Sequence, residues 1–247
     1  MTEPLKYGVI IPARYKSSRF PGKPLIDLCG KPMVQHVWER CVSAVGAENV
    51  FIATDSDLIS VAASAFGANV IMTSETCKTG TDRIAEANLQ LNLDFIINVQ
   101  GDEPLINPAD ILAVRDFFIE DPTCVVNAYC KLSDLENPRS TTIPKVVVSK
   151  FGRLLYISRS VVPFGKSGEL PSVIYKQVCI YAFSKDHLSF FYSNEDKAPL
   201  EAVEDIEILR FIENDYNVRM LEVGQGSLAV DVFDDVARVV RHLKARA

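Results

Sequence analysis

Basic side chains cluster directly after the first apolar run of the sequence. Four of them share one short segment: Arg14, Lys16, Arg19 and Lys23. A bound triphosphate needs positive charge and a close approach of the backbone, which Gly22 permits. Because the whole chain carries a net charge of −6, this local cluster predicts a phosphate site, with a solvated basic loop as the alternative. The segment contains neither a Walker pattern nor G-x-G-x-x-G, which argues against P-loop ATPases and dinucleotide dehydrogenases.

Acidic side chains follow two other apolar runs. Asp102 comes after the run Phe95–Val99, within N-V-Q-G-D-E-P, and Asp231 directly follows L-A-V at 228–230. Hard oxygen ligands at strand ends suit Mg²⁺ that is shared with substrate phosphates. Each acid also has a simpler interpretation, which is a surface turn for Asp102 and a helix entry for Asp231. Together with the basic loop, the two carboxylates predict a magnesium-dependent nucleotide site.

Strands and helices alternate through the first half of the chain. Short β-branched runs predict strands at Tyr7–Ile11, Val50–Thr54, Asn69–Met72 and Phe95–Val99. Helical spacing predicts a helix that Pro32 opens and further helices at Asp57–Phe66 and Thr81–Leu91. The alternation predicts an α/β fold with a mostly parallel sheet flanked by helices. Ligands of such sheets bind beyond the carboxyl ends of the strands, where the basic loop and Asp102 lie.

The second half of the chain is less regular. Strand-like pieces interrupted by proline and glycine predict a β-rich arm at about 141–183, which we expect to serve in dimerisation. Helix, strand and closing helix then follow at Glu204–Asn214, Arg219–Val223 and Asp234–Arg246. Since no repeat, low-complexity tract or long linker divides the chain, residues 1–247 predict a single domain that includes the arm.

Composition excludes several classes of protein. The chain is 48% hydrophobic, yet no apolar run approaches the roughly 20 residues that cross a bilayer. Its first residues, MTEPLKYG, lack the apolar stretch of a secretory signal, so we expect a cytoplasmic protein without membrane contact. The negative net charge argues against nucleic acid as a partner. Six scattered cysteines without zinc-ligand spacing predict reduced, mostly buried thiols.

Five segments carry the most distinctive residue patterns. They are I-P-A-R-Y-K-S-S-R-F-P-G-K-P-L at 11–25, K-T-G-T-D-R at 78–83, V-Q-G-D-E-P at 99–104, S-R-S-V-V-P at 158–163 and V-D at 230–231. In this order and spacing they resemble the CMP-Kdo synthetases, or 3-deoxy-manno-octulosonate cytidylyltransferases, from Tyr7 to about His242. Acylneuraminate cytidylyltransferases share a looser version of the first segment.

The resemblance implies a nucleotide-diphospho-sugar-transferase type of α/β fold, a homodimer and a Mg²⁺-dependent reaction. It implies a nucleotide-binding set of Arg14, Ser18, Arg19, Lys23, Gly80 and Arg83. Magnesium would be bound by Asp102 and Asp231, which form the catalytic set together with Arg14 and Lys23. The residues implied to face the sugar are Gln100, Arg159, Gln177, Tyr181 and Glu207.

The implied reaction transfers CMP from CTP to an acidic 2-keto-3-deoxy sugar such as Kdo, releasing pyrophosphate, for lipopolysaccharide or capsule biosynthesis. Two positions depart from the family pattern, since Gln177 replaces the usual histidine and Ile208 the glutamine of L-E-Q-L-R. These departures favour an alternative acceptor, such as 8-amino-Kdo or another ulosonic or nonulosonic acid. A second alternative is a catalytically silent nucleotide-sensing protein, against which the presence of Asp102 and Asp231 argues.

Overall fold

Eleven strands are present in the computed structural model, which describes residues 5–16, 20–134, 136–194, 196–224, 227–230 and 232–246. Their bounds are β1 (Tyr7–Ala13), β2 (Asp27–Leu28), β3 (Lys31–Pro32), β4 (Val50–Thr54), β5 (Asn69–Met72), β6 (Phe95–Val99), β7 (Val125–Lys131), β8 (Lys145–Val148), β9 (Leu154–Ser158), β10 (Tyr175–Ser184) and β11 (Val218–Glu222). The first-half strands therefore lie where the β-branched runs predict them.

Eight α-helices lie in the same described part of the chain. They are α1 (Met33–Val45), α2 (Asp57–Ala65), α3 (Gly80–Leu91), α4 (Pro108–Glu120), α5 (Lys185–Ser193), α6 (Pro199–Glu204), α7 (Ile208–Glu213) and α8 (Phe233–Arg246). Buried side chains of α1, α2 and α4 pack on one face of the sheet. Those of α3, α5 and α7 pack on the other. The sheet is thus covered on both sides, which explains why β1 and β6 are almost entirely apolar and buried.

The main sheet is mixed, with its central strands in the order β11-β7-β10-β6-β1-β4-β5. Strand β1 pairs in parallel with β4 and β6, β4 with β5, and β7 with β11. Among these seven described strands, only β10 runs antiparallel to its neighbours, which are β6 and β7. The predicted α/β fold with a mostly parallel, helix-flanked sheet is confirmed.

The predicted arm region contains β8, β9 and most of β10. Strand β8 pairs with β9 and with the first two residues of β10, Tyr175 and Lys176. The remainder of β10 continues into the middle of the main sheet, where Ile180 to Ser184 pair with β6. The single-domain organisation and the role of the arm in dimerisation remain predictions.

One helix boundary differs from the predicted elements. The sequence predicts a continuous helix over Glu204–Asn214, whereas the chain forms α6 and α7 with a break between them. Asp205 ends α6 in the left-handed region, at φ 51°, and Glu207 precedes α7. The continuous helix is therefore wrong, because the tertiary contacts of Glu207 described below override local helical spacing.

The cysteines are free thiols, of which Cys41, Cys124 and Cys130 are buried. Burial raises the pKa of Cys41 and raises the pKa of Cys130 to about 11, as expected for thiols in apolar surroundings. Among the residues that the structure describes, no helix combines the length and the apolar character needed to cross a membrane.

Candidate active site

A cavity of about 240 Å³ lies at the carboxyl ends of β1 and β6. Its lining includes four of the residues predicted to bind the nucleotide, Arg14, Lys23, Gly80 and Arg83. Ser18 and Arg19, predicted for the same set, lie outside the described residues. Strand β1 delivers Arg14 directly, while Gly22 at φ 70° turns the loop back so that Lys23 returns to the strand end. The structure therefore brings the two ends of the basic loop to one cavity.

Lys23 connects three segments that are distant in the sequence. Its Nζ donates to Asp102 Oδ2 at 2.7 Å and to the carbonyl oxygen of Val230 at 2.9 Å. The Val230 amide in turn donates to the carbonyl oxygen of Asp102 at 2.9 Å. Asp231, the second predicted metal ligand, follows Val230 in sequence and lies outside the described residues. A cation, a carboxylate and the backbone before Asp231 thus meet at one point.

Gly101 allows the Asp102 loop to approach β1. A Cβ atom at Gly101 would lie only 2.8 Å from the carbonyl oxygen of Pro12, a distance that side chains essentially never tolerate. The sequence places a glycine here because the loop after β6 must pass directly over the end of β1. This contact positions the neighbouring Gln100 and Asp102 on the cavity wall.

The amino terminus of α3 is capped twice. Thr79 and Asp82 form a capping box, and the carboxylate of Glu207 accepts from the amides of Gly80 at 3.1 Å and Thr81 at 2.8 Å. Burial raises the pKa of Glu207, although the Thr81 and Gly80 contacts oppose this shift. A carboxylate at a helix amino terminus is favoured by the helix dipole. Glu207 therefore fixes the α3 end that borders the cavity.

Arg83 is largely enclosed at the base of this cavity. Its guanidinium donates to Asp55 Oδ2 at 2.9 Å and to Thr73 Oγ1 at 2.6 Å, and its side chain is 3% exposed. These contacts link α3 to the ends of β4 and β5. Arg83 borders the predicted nucleotide cavity, but most of its hydrogen-bonding capacity serves to hold the walls together.

A second, larger cavity of about 550 Å³ adjoins the first. The two cavities share the lining residues Gln100, Asp102, Arg159, Asp205 and Glu207. Gln177 and Tyr181 of β10 line the larger cavity, so every described residue that was predicted to face the sugar borders it. Burial raises the pKa of Tyr181 well above its usual range, which keeps the hydroxyl protonated. The site is therefore a two-part cleft whose boundary includes Asp102.

Arg159 borders both parts of the cleft. Its guanidinium donates to the carbonyl oxygens of Glu204 at 2.5 Å, Thr141 at 2.8 Å and Asp205 at 2.9 Å. Carbonyl groups orient the side chain without cancelling its full positive charge. Arg159 is thus held in place with charge left to attract an anion such as a sugar carboxylate.

Sequence reasoning missed a buried ion pair on the wall of the larger cavity. Lys176 Nζ donates to Glu136 Oε1, and both side chains are 7% exposed. Lys197, which lines the smaller cavity and pairs with Asp205 at 2.5 Å, was also missed. Neither Lys176 nor Lys197 lies in a sequence pattern that indicates a binding site, because only the fold brings them to the cleft.

Ile208 corrects one expectation about the sugar site. It is 1% exposed and packs in the core with α3 and α5 residues, and it is absent from the described lining of both cavities. The prediction that Ile208 replaces a polar sugar contact is therefore wrong. Gln177, the other departure from the family pattern, does line the larger cavity.

Lys145 supports Arg159 from a fully buried position. Its Nζ donates to the carbonyl oxygens of Ser140 and Ile143, each at 2.8 Å, and to that of Arg159. Burial lowers the pKa of Lys145 below its usual range. The ammonium group thereby joins the Arg159 backbone to the loop before β8.

Lys145→Met should lower the free energy of unfolding by about 3 kcal/mol, because three part-buried carbonyls lose the charged donor that a fully buried side chain brings to them. The melting temperature should fall by about 6 to 12 °C. Lys131→Met, at an exposed position of β7, is the control and should change stability by less than about 0.5 kcal/mol. Urea unfolding monitored by circular dichroism measures both. Equal stability of the two variants would show that the Lys145 contacts contribute little.

Comparison with known proteins decides the family. A family model described as "Cytidylyltransferase" matches residues 8–220, which is most of the chain. The chain belongs to the cytidylyltransferase family. Relatives of this cytidylyltransferase include the 3-deoxy-manno-octulosonate cytidylyltransferase of Geobacter metallireducens, 39% identical over 97% of this chain and 98% of the relative. The protein of the same name from Escherichia coli is 38% identical over 92% of this chain and 91% of the relative.

Solved structures agree with this family. The fold of this cytidylyltransferase matches a CMP:2-keto-3-deoxy-manno-octonic acid synthetase complexed with CTP, with a TM-score of 0.89 and 37% identity over 98% of this chain and 100% of that chain. A cytidylyltransferase from Leptospira borgpetersenii matches with a TM-score of 0.66 at 17% identity, covering 98% of this chain and 88% of that chain. The second likeness concerns the fold alone, whereas the first supports the predicted resemblance to CMP-Kdo synthetases.

Proposed function

We propose that this enzyme transfers CMP from CTP to 3-deoxy-manno-octulosonate and releases pyrophosphate. The observation that carries the proposal is the two-part cleft, in which the basic loop end and the β10 wall meet at Asp102. A nucleotide in the smaller part would direct its phosphates toward Lys23 and Arg14. An acidic sugar in the larger part would lie between Arg159 and the β10 side chains. The two reactants would then meet at the shared boundary.

The chemistry needs positioning and charge neutralisation more than a side-chain nucleophile. The anomeric hydroxyl of the sugar attacks the α-phosphorus and loses its proton to water, a new P–O bond forms, and the bond to the bridging oxygen of pyrophosphate breaks. Arg14 and Lys23 stabilise the negative charge that develops on the leaving pyrophosphate. Arg159 attracts the sugar carboxylate and so orients the acceptor.

The carboxylate chemistry of the cleft suits a magnesium ion. Mg²⁺ in nucleotide sites is commonly bound by one or two carboxylates together with substrate phosphates. Asp102 supplies a partly exposed carboxylate at the boundary of both cavities, and its backbone is bonded to the residue before Asp231. When bound there by Asp102 and Asp231, the ion would supply charge neutralisation at the phosphates and a lower pKa of the attacking hydroxyl.

We expect pyrophosphate release that requires CTP, a divalent cation and Kdo together. EDTA should abolish it, and ATP or GTP should be turned over much more slowly, since they present a different base to the α3 wall. A coupled pyrophosphate assay measures all of these reactions. Equal rates with ATP, or undiminished rates without divalent metal, would overturn the proposal. CTP binding without any turnover would instead indicate a nucleotide-sensing protein.

The same assay compares acceptors at equal concentration. Kdo should have the highest kcat/KM among Kdo, 8-amino-Kdo and a nonulosonic acid, since one of the two departures that favoured another sugar, Ile208, lies in the core. A higher kcat/KM with 8-amino-Kdo would mean that the remaining departure, Gln177, determines the sugar.

Assembly, location and pathway are also proposals. Phe151 and Val203 are 85% and 84% exposed, and burial of such large apolar side chains between two copies of the chain would support a homodimer. We propose that the enzyme acts in the cytoplasm and supplies an activated sugar for lipopolysaccharide or capsule.

A further inference from the structure

The wall formed by β10 is irregular where it borders the larger cavity. Val178 pairs with Ala128 of β7, but the next pair along β7 joins Tyr181 to Asn127. Two residues, Cys179 and Ile180, therefore have no counterpart on β7. This bulge lies among the β10 side chains that line the cavity, Gln177, Cys179 and Tyr181, and bulges commonly redirect side chains near functional sites.

Asn127 closes the bulge from the neighbouring strand. Its side chain is fully buried, and its Nδ2 donates to the carbonyl oxygens of Val178 at 3.0 Å and Ile180 at 2.9 Å. The carbonyl between them, that of Cys179, accepts from the amide of Gln100 at 3.3 Å. All three successive carbonyls of the bulge are therefore bonded, two of them by one side chain.

The same asparagine determines the orientation of Gln177. Carbonyl oxygens only accept hydrogen bonds, so the Asn127 atom that faces Val178 and Ile180 must be the amide nitrogen. Its oxygen, Oδ1, then faces Gln177 and accepts from Gln177 Nε2 at 2.9 Å. Gln177 consequently uses an amide hydrogen on Asn127, which leaves its Oε1 as the acceptor that it can offer to a ligand.

We propose that Asn127 is a positioning residue for the acceptor sugar, because it holds the β10 bulge and makes Gln177 present a carbonyl oxygen to a sugar hydroxyl. This inference rests on the proposed function of the larger cavity as the acceptor site. Asn127 acts through the positions of Gln177, Cys179 and Tyr181. Its loss should therefore change the recognition of the sugar and spare that of CTP.

Asn127→Asp tests the donor role with little change in shape. A carboxylate repels the carbonyls of Val178 and Ile180, whereas the protonated acid has one O–H to donate. Relative to wild type, the KM for Kdo should rise about tenfold or more at about pH 9 and recover toward wild type at about pH 6, with the KM for CTP within about twofold. The proposal would be overturned by a parallel rise of the KM values for Kdo and CTP. It would also be overturned if the ratio of the variant's KM for Kdo to that of wild type did not depend on pH.

The matched control is Asn88→Asp. Asn88 is also buried, and its Nδ2 donates to the carbonyl oxygen of Leu93 at 3.1 Å, at the far end of α3. Its KM for Kdo should stay within about twofold of wild type even if its stability falls. A rise equal to that of Asn127→Asp would assign the effect to general destabilisation and contradict the positioning role.

A second readout does not depend on turnover. The rate of Cys179 alkylation by iodoacetamide, followed by peptide mass spectrometry with exposed Cys29 as internal reference, should change severalfold in Asn127→Asp and not in Asn88→Asp. An unchanged rate contradicts the bulge-holding role. If wild type does not use Kdo, the proposed function fails while this labelling still tests the role of Asn127.

Gln177→Met covers the case in which Asn127→Asp does not fold. This variant removes the amide and keeps the length of the side chain, so the KM for Kdo should rise about fivefold or more with the KM for CTP unchanged. An unchanged KM for Kdo would overturn the proposal, because Asn127 would then orient a side chain that the sugar does not use.

Discussion

We expect Asp102→Asn to lower kcat by about a hundredfold or more, because it removes a charged ligand from the point where the two cavities join. The fold should survive. The Asp102 side chain is 25% exposed, asparagine keeps an oxygen that can accept from Lys23, and the bond between the Asp102 carbonyl oxygen and the Val230 amide does not involve the carboxylate. The same loss is expected for Asp231→Asn, since the resemblance implies that Asp231 is the second ligand.

The measurement is steady-state pyrophosphate release over a range of Mg²⁺ concentrations. Glu39→Gln is the matched control, because Glu39 also pairs with a lysine, Lys31, at 2.8 Å, but on the surface of α1. Its kcat should stay near that of wild type. Near wild-type kcat for Asp102→Asn at saturating Mg²⁺ would mean that Asp102 is not a metal ligand.

Local sequence pattern predicted the parallel core well. Val50–Thr54, Asn69–Met72 and Phe95–Val99 begin and end as strands where the β-branched runs do. Val50–Thr54 and Phe95–Val99 are almost fully buried in the covered part of the sheet, so their composition reports their environment directly. Asn69–Met72 is an edge strand and keeps two exposed residues, yet its β-branched centre is still half-buried. The same pattern could not reveal that β10 inserts antiparallel between β6 and β7, because strand order depends on pairing between residues far apart in the chain.

The break between α6 and α7 illustrates the limit of helical spacing. Asp205 is not glycine, yet it adopts a φ of 51°, which asparagine and aspartate tolerate better than most residues. Glu207 gains two amide donors at the start of α3 in return. No residue within Glu204–Asn214 signals that partner, since α3 lies more than a hundred residues earlier in the sequence.

The candidate site also contains residues that local sequence predicts and residues that only the fold reveals. Distinctive motifs predict residues such as Lys23, Asp102 and Arg159, and those three line the cleft. The supporting residues Asn127, Lys145 and Lys176 stand in ordinary strand segments. Their importance comes from burial and from partners on other elements, and neither property is visible in a single sequence.

Lys23→Met should lower kcat/KM for CTP by about a hundredfold, because Lys23 is expected to stabilise the leaving pyrophosphate as well as to hold Asp102. The contacts with Asp102 Oδ2 and the carbonyl oxygen of Val230 place its ammonium group between the basic loop and the carboxyl-terminal segment. Lys31→Met is the control, since Lys31 forms a partly exposed pair with Glu39 outside the described lining of both cavities. A loss smaller than about threefold would contradict a role for Lys23 at the phosphates.

A double-mutant cycle separates the two roles of Lys23. If it acted only by holding Asp102, adding Lys23→Met to Asp102→Asn would cost nothing further in kcat/KM. If it also contacts the phosphates, the double variant should be slower than Asp102→Asn by about tenfold or more. The 2.7 Å contact between Lys23 Nζ and Asp102 Oδ2 ensures some coupling, so full additivity is not expected. The same cycle at Lys31 and Glu39 should give no effect on turnover, because that pair joins β3 to α1 at the surface, where loss of an ion pair changes little.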